Sequence, residues 1–548
     1  MSTPTTPAAA TPTSPPGART GPVIAVLALG LFMTLLDLTI VNIAIPDLVD
    51  SLGSSLDQVL WVLNAYSLLY AVLLITTGRL GDLIGPKAMY LTGMAVFVAA
   101  SAGSGFARTT AVLIACRALQ GVGAAMLAPQ TLVFITALLP PDKRAAGFAA
   151  IGGTSGLAVL AGPTLGGFIV THLGWEWIFF VNLPIGLLTM ALCVRLVPDV
   201  RPGIRHRLDL LGVLLLTAGL FGVVFGLIEG ERYDWATITG ALTIPEVIAA
   251  GVAVLVLFGV REARRQGGEP LLPFEVFRNR NFTLMAGVLA IMGFAMVGLY
   301  LPLTIYFQSV LGLSAVAAGL AIAPQPLAMM FSSMLGGALS DRIFGKYLLV
   351  PGLVLFGAGS AWVALAAHAD SGRLVFVPGL VIAGLGMGWV WVPVFSLATR
   401  DLPPRLAGVS SGVLDTVQEL GSVLATAVIG ALLSSRLASS LHDEAVSRSA
   451  GLPDGVRSRF VAGFDQAGSS GLQVGAGSGS GGGTGRLAQL GHDVFAHGFV
   501  TAMRPTMLVP VALMALAAFL ALAVRRPADV ADVAEVVEGR TDAERPMA

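Results

Sequence analysis

Apolar segments long enough to cross a lipid bilayer recur along almost the whole of this 548-residue chain. A membrane-spanning helix needs about 20 predominantly apolar residues, and fourteen segments are of that order. Charged residues make up 12% of the chain, about half the share in average soluble proteins. We therefore predict an all-α polytopic membrane protein with fourteen transmembrane helices. The segments lie at about 22–45, 58–78, 88–107, 110–138, 145–170, 176–197, 209–229, 237–260, 282–308, 314–338, 347–367, 375–399, 405–434 and 500–524.

The fourteen segments divide most simply into groups of six, two and six. This division predicts an N-terminal six-helix bundle at 22–198, two extra transmembrane helices at 209–260 and a C-terminal six-helix bundle at 282–524. A polar hinge follows the second segment of each group of six, as GRLGDLIGPK at 78–87 and as the degenerate copy GALSDRIFGK at 337–346. The repeated hinge indicates two pseudo-symmetric halves. Two such halves can rock around a shared cavity, which is the architecture of a transporter.

Three stretches lie outside the predicted spans. Residues 1–21 are rich in Thr, Pro and Ala and are predicted to be a disordered cytoplasmic tail, and residues 525–548 a second cytoplasmic tail. Residues 436–499, within the C-terminal bundle, include a Gly/Ser-rich run and are predicted to be a long extracytoplasmic loop. A flexible connector is the simpler role for this loop, and a capping or partner-binding role is the alternative.

Lys and Arg are distributed unevenly between the two sides of the predicted membrane protein. If the amino terminus is cytoplasmic, the short outer loops hold only Arg108, Arg232 and Arg373, whereas the short inner loops hold many. This bias places both termini in the cytoplasm. The Ala-, Gly-, Val- and Arg-rich composition is typical of a high-GC bacterium, so we predict a multi-pass protein of a bacterial cytoplasmic membrane. A net charge of zero gives no electrostatic basis for nucleic-acid binding.

The sequence offers no pattern for an enzyme or a metal site. We find no phosphate-binding glycine loop, no nucleophile elbow and no metal-ligand spacing among the six histidines. Cys116 and Cys193 lie far apart inside apolar segments and are interpreted as small buried hydrophobic residues. We therefore expect a protein that is not an enzyme and needs no cofactor or metal.

Four further motifs follow one another along the N-terminal half. They are LDLTIVNIAIP at 36–46, RALQGVGAA at 117–125, GPTLGG at 162–167 and WEWIFFVNLPIG at 175–186. Together with the hinge, they resemble motifs of the major facilitator superfamily and, more narrowly, of its fourteen-span drug:proton antiporter family (QacA/EmrB-like). The resemblance implies the major facilitator fold and a proton-coupled antiporter that exports small amphipathic organic compounds, such as antibiotics, by alternating access. Its partners would be a small-molecule substrate, protons and the lipid bilayer, and we expect a monomer.

Two other functions remain open from the sequence. A proton-coupled uptake symporter could use the same fold and would accumulate its substrate inward. A membrane sensor or enzyme without transport activity would need a reactive group of residues on one side of the membrane, and the sequence shows none.

Asp37 and Arg117 are charges within predicted spans. A carboxylate at mid-membrane costs roughly 3 kcal/mol to insert, so such a residue usually faces a cavity and has a function. Asp37 is therefore a candidate proton carrier, with a carboxylate that merely caps or bonds a neighbouring helix as the alternative. For Arg117, the resemblance implies a role in proton coupling, with a structural ion pair as the alternative. We hypothesise that the two residues sense each other through the cavity.

Asp415 and Glu419 form an acidic pair in the thirteenth span. They are four residues apart, so they project from one face of a helix. Two neighbouring carboxyls disfavour simultaneous ionisation, and one could hold a proton near neutral pH. The pair could carry a second proton, attract a cationic substrate or face a wet crevice for structural reasons.

The hinge is predicted to be a gate, and a simple turn with snorkelling charges is the alternative. Asp82 can face the positive N-terminal end of a helix from the other half, near residues 405–408, and so close the inner side. The predicted gating residues are Gly78, Asp82, Gly85, Lys87, Asp341 and Lys346.

The fifth span carries Gly162, Pro163, Gly166 and Gly167. The proline kinks the helix and the glycines permit close packing. The resemblance implies that this antiporter motif seals the bundle against proton leak, and plain helix packing is the alternative.

Several side chains near the predicted cavity are candidate substrate contacts, although such residues are commonly interfacial or structural. They are Met33, Asn42, Tyr66, Tyr300, Tyr306, Gln308, Trp389 and Trp391.

Overall fold

The computed structural model describes residues 20–140, 143–199, 209–230, 232–240, 242–267, 270–340, 343–403, 406–469 and 486–524. Within them, fourteen helices are long and apolar enough to cross a membrane. The predicted all-α class and number of spans are therefore confirmed. In the described part of the chain, the only sheet is a short hairpin of β1 (Thr237–Thr239) and β2 (Leu242–Thr243).

The N-terminal half contains eight helices that form six spans. The first span is α1 and α2 joined by a 3-10 turn at Val41–Ala44, and Pro46 lies in the first turn of α2, where a missing N–H is tolerated. Gly85 separates α3 from α4 with a φ of +96°, a conformation that favours glycine. The helices are α1 (Thr20–Ile40), α2 (Ile45–Leu52), α3 (Leu56–Ile84), α4 (Pro86–Gly105), α5 (Thr110–Leu138), α6 (Arg144–Leu173), α7 (Trp177–Phe180) and α8 (Asn182–Leu196).

An inserted hairpin and the C-terminal half follow. The hairpin consists of α9 and α10, and the ninth span, α12, ends in a π-helical turn at Tyr306–Val310. The helices are α9 (Leu210–Glu229), α10 (Ile244–Arg264), α11 (Glu275–Arg278), α12 (Arg280–Ile305), α13 (Ala315–Ile322), α14 (Pro324–Ser340), α15 (Lys346–Ala366), α16 (Val377–Thr399), α17 (Ala407–Arg448), α18 (Asp454–Ser469) and α19 (Arg486–Leu522).

The two halves contact each other along two lines. On one side α3 packs against α17, and on the other α6 packs against α13, α14 and α16. We call the end of the molecule where α3 and α16 end, and where α6 and α17 begin, the hinge end. There the rings of Phe148 and Phe395 stack across the two halves with centroids 5.6 Å apart. The halves are therefore in direct contact at this end.

The inserted hairpin contacts both halves. α9 packs against α10 on one side and against α3 and α17 on the other. Its contact with α10 is close, since a Cβ at Gly222 would lie 3.0 Å from the Gly251 Cα. Leu216, Leu220 and Val224 are buried in the main apolar core. The hairpin therefore lies beside the contact between the two halves.

Asp209 links the start of α9 to the end of α10 in the inserted hairpin. Its carboxylate accepts a hydrogen bond from the Gly212 N–H in the first turn of α9. It also accepts from Arg261 Nη2 at 2.7 Å and lies 2.9 Å from Arg265 Nη1, at the end of α10. The hydrogen bonds from the Arg261 guanidinium hold the pKa of the Asp209 carboxyl well below its usual range.

Replacing Asp209 with Asn is expected to destabilise the hairpin by about 1–3 kcal/mol, because two guanidinium groups lose a charged acceptor. The folded-state pKa is lowered, so this stabilisation is complete above the unfolded pKa of about 3.9 and disappears as the pH falls through the folded value. Hydrogen exchange of α9 and α10 at pH 7 measures the effect. Asp47→Asn, which changes an exposed carboxylate on α2, is the control, and equal exchange in both variants would contradict the prediction.

The predicted outer loop at 436–499 differs from the structure. α17 continues to Arg448, α18 occupies part of the stretch, and α19 begins at Arg486, well before the predicted start of the last span at residue 500. The Gly-rich run at 470–485 and the predicted tails at 1–19 and 525–548 lie outside the described residues.

The physical reason for the longer helix is an apolar stripe that the average hydropathy conceals. Leu433, Leu437 and Leu441 recur every four residues among polar neighbours, and each is at most 2% exposed. These side chains lie on one face of α17 and stay packed beyond the length needed to cross a bilayer. A helix therefore forms where the mixed composition predicted a loop.

Candidate functional site

Asp37 and Arg117 form a buried ion pair inside the N-terminal half. Asp37 lies in the last turn of α1 and Arg117 in the first half of α5, and both side chains are 0% exposed. Arg117 Nη1 donates to Asp37 Oδ2. The residues are thus in direct contact, whereas the sequence suggested an interaction through a cavity.

Two amide side chains complete the surroundings of the carboxylate. Asp37 Oδ1 accepts from Asn182 Nδ2 at 2.7 Å and from Gln120 Nε2 at 3.1 Å. Asn182 Nδ2 also donates to Ser101 Oγ at 3.0 Å. A buried ion pair is tolerated only when such extra hydrogen bonds compensate the loss of water. The site is therefore a polar network across α1, α4, α5 and α8, which we call the Asp37 network.

The sequence interpretation missed Asn182, Gln120 and Ser101 as members of this network. A signal was present for Gln120, which follows Arg117 by three residues and so shares its helix face. Asn182 stands in the family-like stretch at 175–186, but nothing in one sequence shows that it reaches Asp37 on another helix.

The Asp37 network keeps unused hydrogen-bonding capacity. Within the part of the chain that the structure describes, buried Arg117 Nη2 has no acceptor and buried Asn182 Oδ1 has no donor. An unpaired buried polar atom costs about 1–3 kcal/mol. The network can therefore gain hydrogen bonds if its members move.

Tyr66 covers the other side of Arg117. The Arg117 guanidinium carbon lies 4.5 Å from the centroid of the Tyr66 ring, and Tyr66 itself is 3% exposed. The Tyr70 ring stacks on Tyr66 with centroids 6.1 Å apart. Tyr66 was predicted to contact substrate, but in this structure one face of its ring is occupied by Arg117.

Asp415 and Glu419 face the N-terminal half from α17. Both are half-buried and interact electrostatically with each other and with Tyr70, and Glu419 also acts on Tyr66. Asp415 Oδ2 is buried without a partner among the described residues. The tyrosine pair therefore contacts the Asp37 network through Arg117 and interacts electrostatically with the acidic pair of the other half.

Asp82 joins the two halves at the hinge end. Its Oδ1 accepts a hydrogen bond of 3.2 Å from the Gly408 N–H in the first turn of α17, the contact that the sequence predicted. A helix N-terminus carries unpaired N–H groups and a partial positive charge, so it favours a carboxylate. Gly78 allows the close approach, since a Cβ there would lie 2.5 Å from the Gly408 carbonyl oxygen.

The two hinge lysines, Lys87 and Lys346, bond within their own halves, whereas Asp82 bonds to the other half. Lys87 Nζ donates to the carbonyls of Val194 and Val197, at the C-terminal end of α8 in its own half. Lys346 Nζ donates to the carbonyls of Leu522 and Val524, at the end of α19 in the other half. Each lysine thus caps the last helix of its own bundle, and its hydrogen bonds to described residues stay within that bundle. Asp341 lies outside the described residues.

The glycines of the GPTLGG motif touch both α1 and the C-terminal half. A Cβ at Gly162 would collide with Thr39, two residues after Asp37, and a Cβ at Gly166 would lie 2.8 Å from Ile40. On the opposite side, a Cβ at Gly167 would lie 2.6 Å from a Val316 methyl carbon on α13. In the same region, a Cβ at Gly319 on α13 would lie 2.6 Å from Pro163. The motif therefore packs directly between the helix that carries Asp37 and the other half.

The remaining candidate substrate contacts are dispersed. Met33 is buried in the same apolar cluster as Tyr66, whereas Tyr306 is buried in another cluster and donates to the His368 carbonyl at 2.6 Å. Asn42 is exposed and donates to the Leu38 carbonyl of its own helix. Gln308 is exposed, and Tyr300, Trp389 and Trp391 are half-buried.

Comparisons with known proteins agree with this architecture. The family model described as Major Facilitator Superfamily matches residues 27–426. A tetracenomycin C resistance and export protein of Streptomyces glaucescens is 33% identical over 489 residues, which cover 89% of each chain. An uncharacterised MFS-type transporter of Mycobacterium tuberculosis is 38% identical over 454 residues, 81% of this chain and 77% of that relative.

A solved structure shows the same fold. The crystal structure of the human organic anion transporter MFSD10 matches with a TM-score of 0.58 and 16% sequence identity, covering 91% of this chain and 100% of that one. The ordered motifs, the fourteen spans and the match of the family model over most of the sequence lead to one conclusion. The chain belongs to the major facilitator superfamily.

Proposed function

We propose that the protein is a monomeric proton-coupled antiporter that exports small amphipathic organic compounds across a bacterial cytoplasmic membrane by alternating access. The observation that carries the proposal is the Asp37 network, a buried ion pair whose carboxylate lies on a helix that contacts the GPTLGG motif. The cargo is supported by the name of the Streptomyces glaucescens relative, which describes resistance to and export of tetracenomycin C.

Protonation of Asp37 would upset the balance of the network. Arg117 stays charged because a guanidinium does not lose its proton in proteins. Removing one partner of a buried ion pair costs about 3–5 kcal/mol. A proton that enters down 100 mV supplies about 2.3 kcal/mol, and each pH unit adds about 1.4 kcal/mol. The two energies are similar, so proton entry can drive a rearrangement of this site.

The packing supplies a route from this rearrangement to the other half. Asp37 is 0% exposed in this conformation, so the proton would reach it in another conformation of the cycle. A shift of α1 would act on Gly162 through Thr39, because no space separates them. α6 in turn contacts Val316 of the C-terminal half through Gly167. Proton binding in one half would thus alter the contact between halves.

The hinge end is assigned to the cytoplasmic side, with both termini in the cytoplasm, from the distribution of Lys and Arg between the loops. The bond between Asp82 and Gly408 would then hold the transporter closed toward the cytoplasm. Breaking it would let α3 and α17 separate and admit cargo from the inside. Asp415 and Glu419 would carry a second proton or bind a cationic cargo at the same contact.

Transport by purified protein in proteoliposomes, with an imposed pH gradient, tests the proposal. The assay compares cationic, neutral and zwitterionic aromatic compounds in vesicles loaded on one side. We expect the substrate to leave the vesicles while protons enter them. Movement of substrate in the same direction as the protons would indicate a symporter, and transport that ignores the gradient would remove the antiport proposal.

Tyr66 offers a test of how Arg117 is held. Replacing Tyr66 with Leu should slow gradient-driven transport by roughly tenfold or more, because a desolvated cation–π contact is worth about 2 kcal/mol or more. Tyr66→Phe keeps the ring face and should transport like the wild type. Tyr90→Leu is the control, since Tyr90 is also buried but packs edge-on against Phe134. A slow Tyr66→Phe variant would show instead that the hydroxyl matters.

A further inference from the structure

Arg144, the first residue of α6, lies at the hinge end and bonds to both halves. Its Nη2 donates to the Thr136 carbonyl at 2.8 Å and its Nε to the Leu139 carbonyl at 3.3 Å, at the end of α5. Its Nη1 donates at 3.4 Å to the carbonyl of Thr399, the last residue of α16 in the other half. One guanidinium therefore joins the C-terminal ends of two helices.

The charge of Arg144 matches this position. The last carbonyls of a helix lack intrahelical partners and carry a partial negative charge, which favours a cation. Asp82 has the opposite charge and bonds to the positive N-terminal end of α17. α16 and α17 follow one another in the chain. Arg144 and Asp82 of the N-terminal half, which have opposite charges, thus bond to the end of α16 and to the start of α17, two successive helices of the C-terminal half.

An apolar contact lies one helical turn away from this bond. Phe148 follows Arg144 by four residues on α6, and Phe395 precedes Thr399 by four residues on α16, so the spacing on both helices matches. Their stacked rings are 2% and 4% exposed, respectively. The polar bond and the ring pair therefore form consecutive layers between α6 and α16.

We propose that Arg144 is a second gating residue, which together with Asp82 closes the hinge end by binding the C-terminal end of α16. The inference rests on the proposed function in one respect only, which is that closure of the hinge end is a step in a transport cycle. The predicted gate consisted of the two hinge sequences, and Arg144 belongs to neither of them.

Labelling of a buried reporter cysteine tests this role without substrate or gradient. Cys116 and Cys193 are first replaced by Ser, and Ser333→Cys then places a thiol on α14. Ser333 is 0% exposed, and its Oγ lies 3.0 Å from where a Cβ of Gly152 would stand, one turn beyond Phe148. An impermeant maleimide applied from the hinge-end side of membrane vesicles reports how often this end opens.

Arg144→Gln should label roughly tenfold faster than the parent, because a charged hydrogen bond between the halves is lost. Lys143→Gln removes the adjacent exposed cation and should label like the parent. Arg144→Lys should label at an intermediate rate, because one ammonium cannot maintain the fork of bonds to both helix ends. Asp82→Asn is the positive control for opening.

Parent-like labelling of Arg144→Gln would overturn the proposal, and so would equal acceleration by Lys143→Gln. If Arg144→Gln fails to fold, Arg144→Lys decides, and a parent-like rate for it overturns the proposal. The transport assay tests the proposed function separately. A protein that does not exchange protons for substrate can still show a labelling rate that depends on Arg144.

Discussion

Asp37→Asn is expected to reduce transport driven by a pH gradient to the background of empty vesicles. Asparagine has a similar shape and can still meet Arg117, but it cannot take up and release a proton. Exchange of labelled for unlabelled substrate without a gradient needs no net proton movement and should persist. Both rates are measured in proteoliposomes with the purified variant.

The control for this variant is Asp47→Asn, which removes an exposed carboxylate from α2 and should leave both rates unchanged. Thermal unfolding should be measured alongside, because Arg117 loses its buried counter-charge and such a loss costs about 3–5 kcal/mol. Gradient-driven transport by a folded Asp37→Asn variant would exclude Asp37 as the essential proton carrier and would favour the acidic pair on α17.

Gly78→Ala is expected to have the second large effect, through packing alone. The new Cβ would lie 2.5 Å from the backbone carbonyl oxygen of Gly408, so α3 and α17 must move apart. Overpacking of this kind costs about 1–3 kcal/mol, and the bond from Gly408 to Asp82 should weaken with it. We expect faster labelling of the Ser333→Cys reporter from the hinge-end side and slower transport, each by roughly tenfold.

Gly287→Ala on α12 is the matched control, since no atom of the described residues outside its own helix backbone lies within 4 Å of the position that its Cβ would take. Both variants add one methyl group to a helix glycine in the membrane region. If Gly287→Ala slowed transport as much as Gly78→Ala, the effect could not be assigned to the contact between α3 and α17.

The sequence predicted those parts of the site that can be recognised from a residue and its neighbours in the chain. Buried charges are costly enough to be conspicuous, so Asp37 and Arg117 could be identified from their apolar neighbours. The contact of Asp82 with α17 followed from a motif and the charge of a helix end. The direct pairing of Asp37 with Arg117 and the part played by Asn182 depend on how α1, α5 and α8 pack against one another, and a single sequence does not show which of their side chains meet.

Other residues have contacts that the sequence alone does not show, because one pattern has several physical uses. Arg144 belongs to none of the sequence motifs, although it bonds to both halves. Lys87 and Lys346 were grouped with the gate but cap the last helix of their own bundles. Leu437 and Leu441 stood among polar residues and so were assigned to a loop, although they form a buried stripe.

The place of α9 beside α3 and α17 has a mechanical consequence in a membrane. In water, withdrawing Leu216, Leu220 and Val224 from their neighbours would incur the full hydrophobic penalty. Lipid chains are as apolar as leucine, so in a bilayer the same withdrawal sacrifices only packing contacts. The inserted α9–α10 hairpin can therefore stabilise the contact between the two halves at rest and still detach at low cost when they separate.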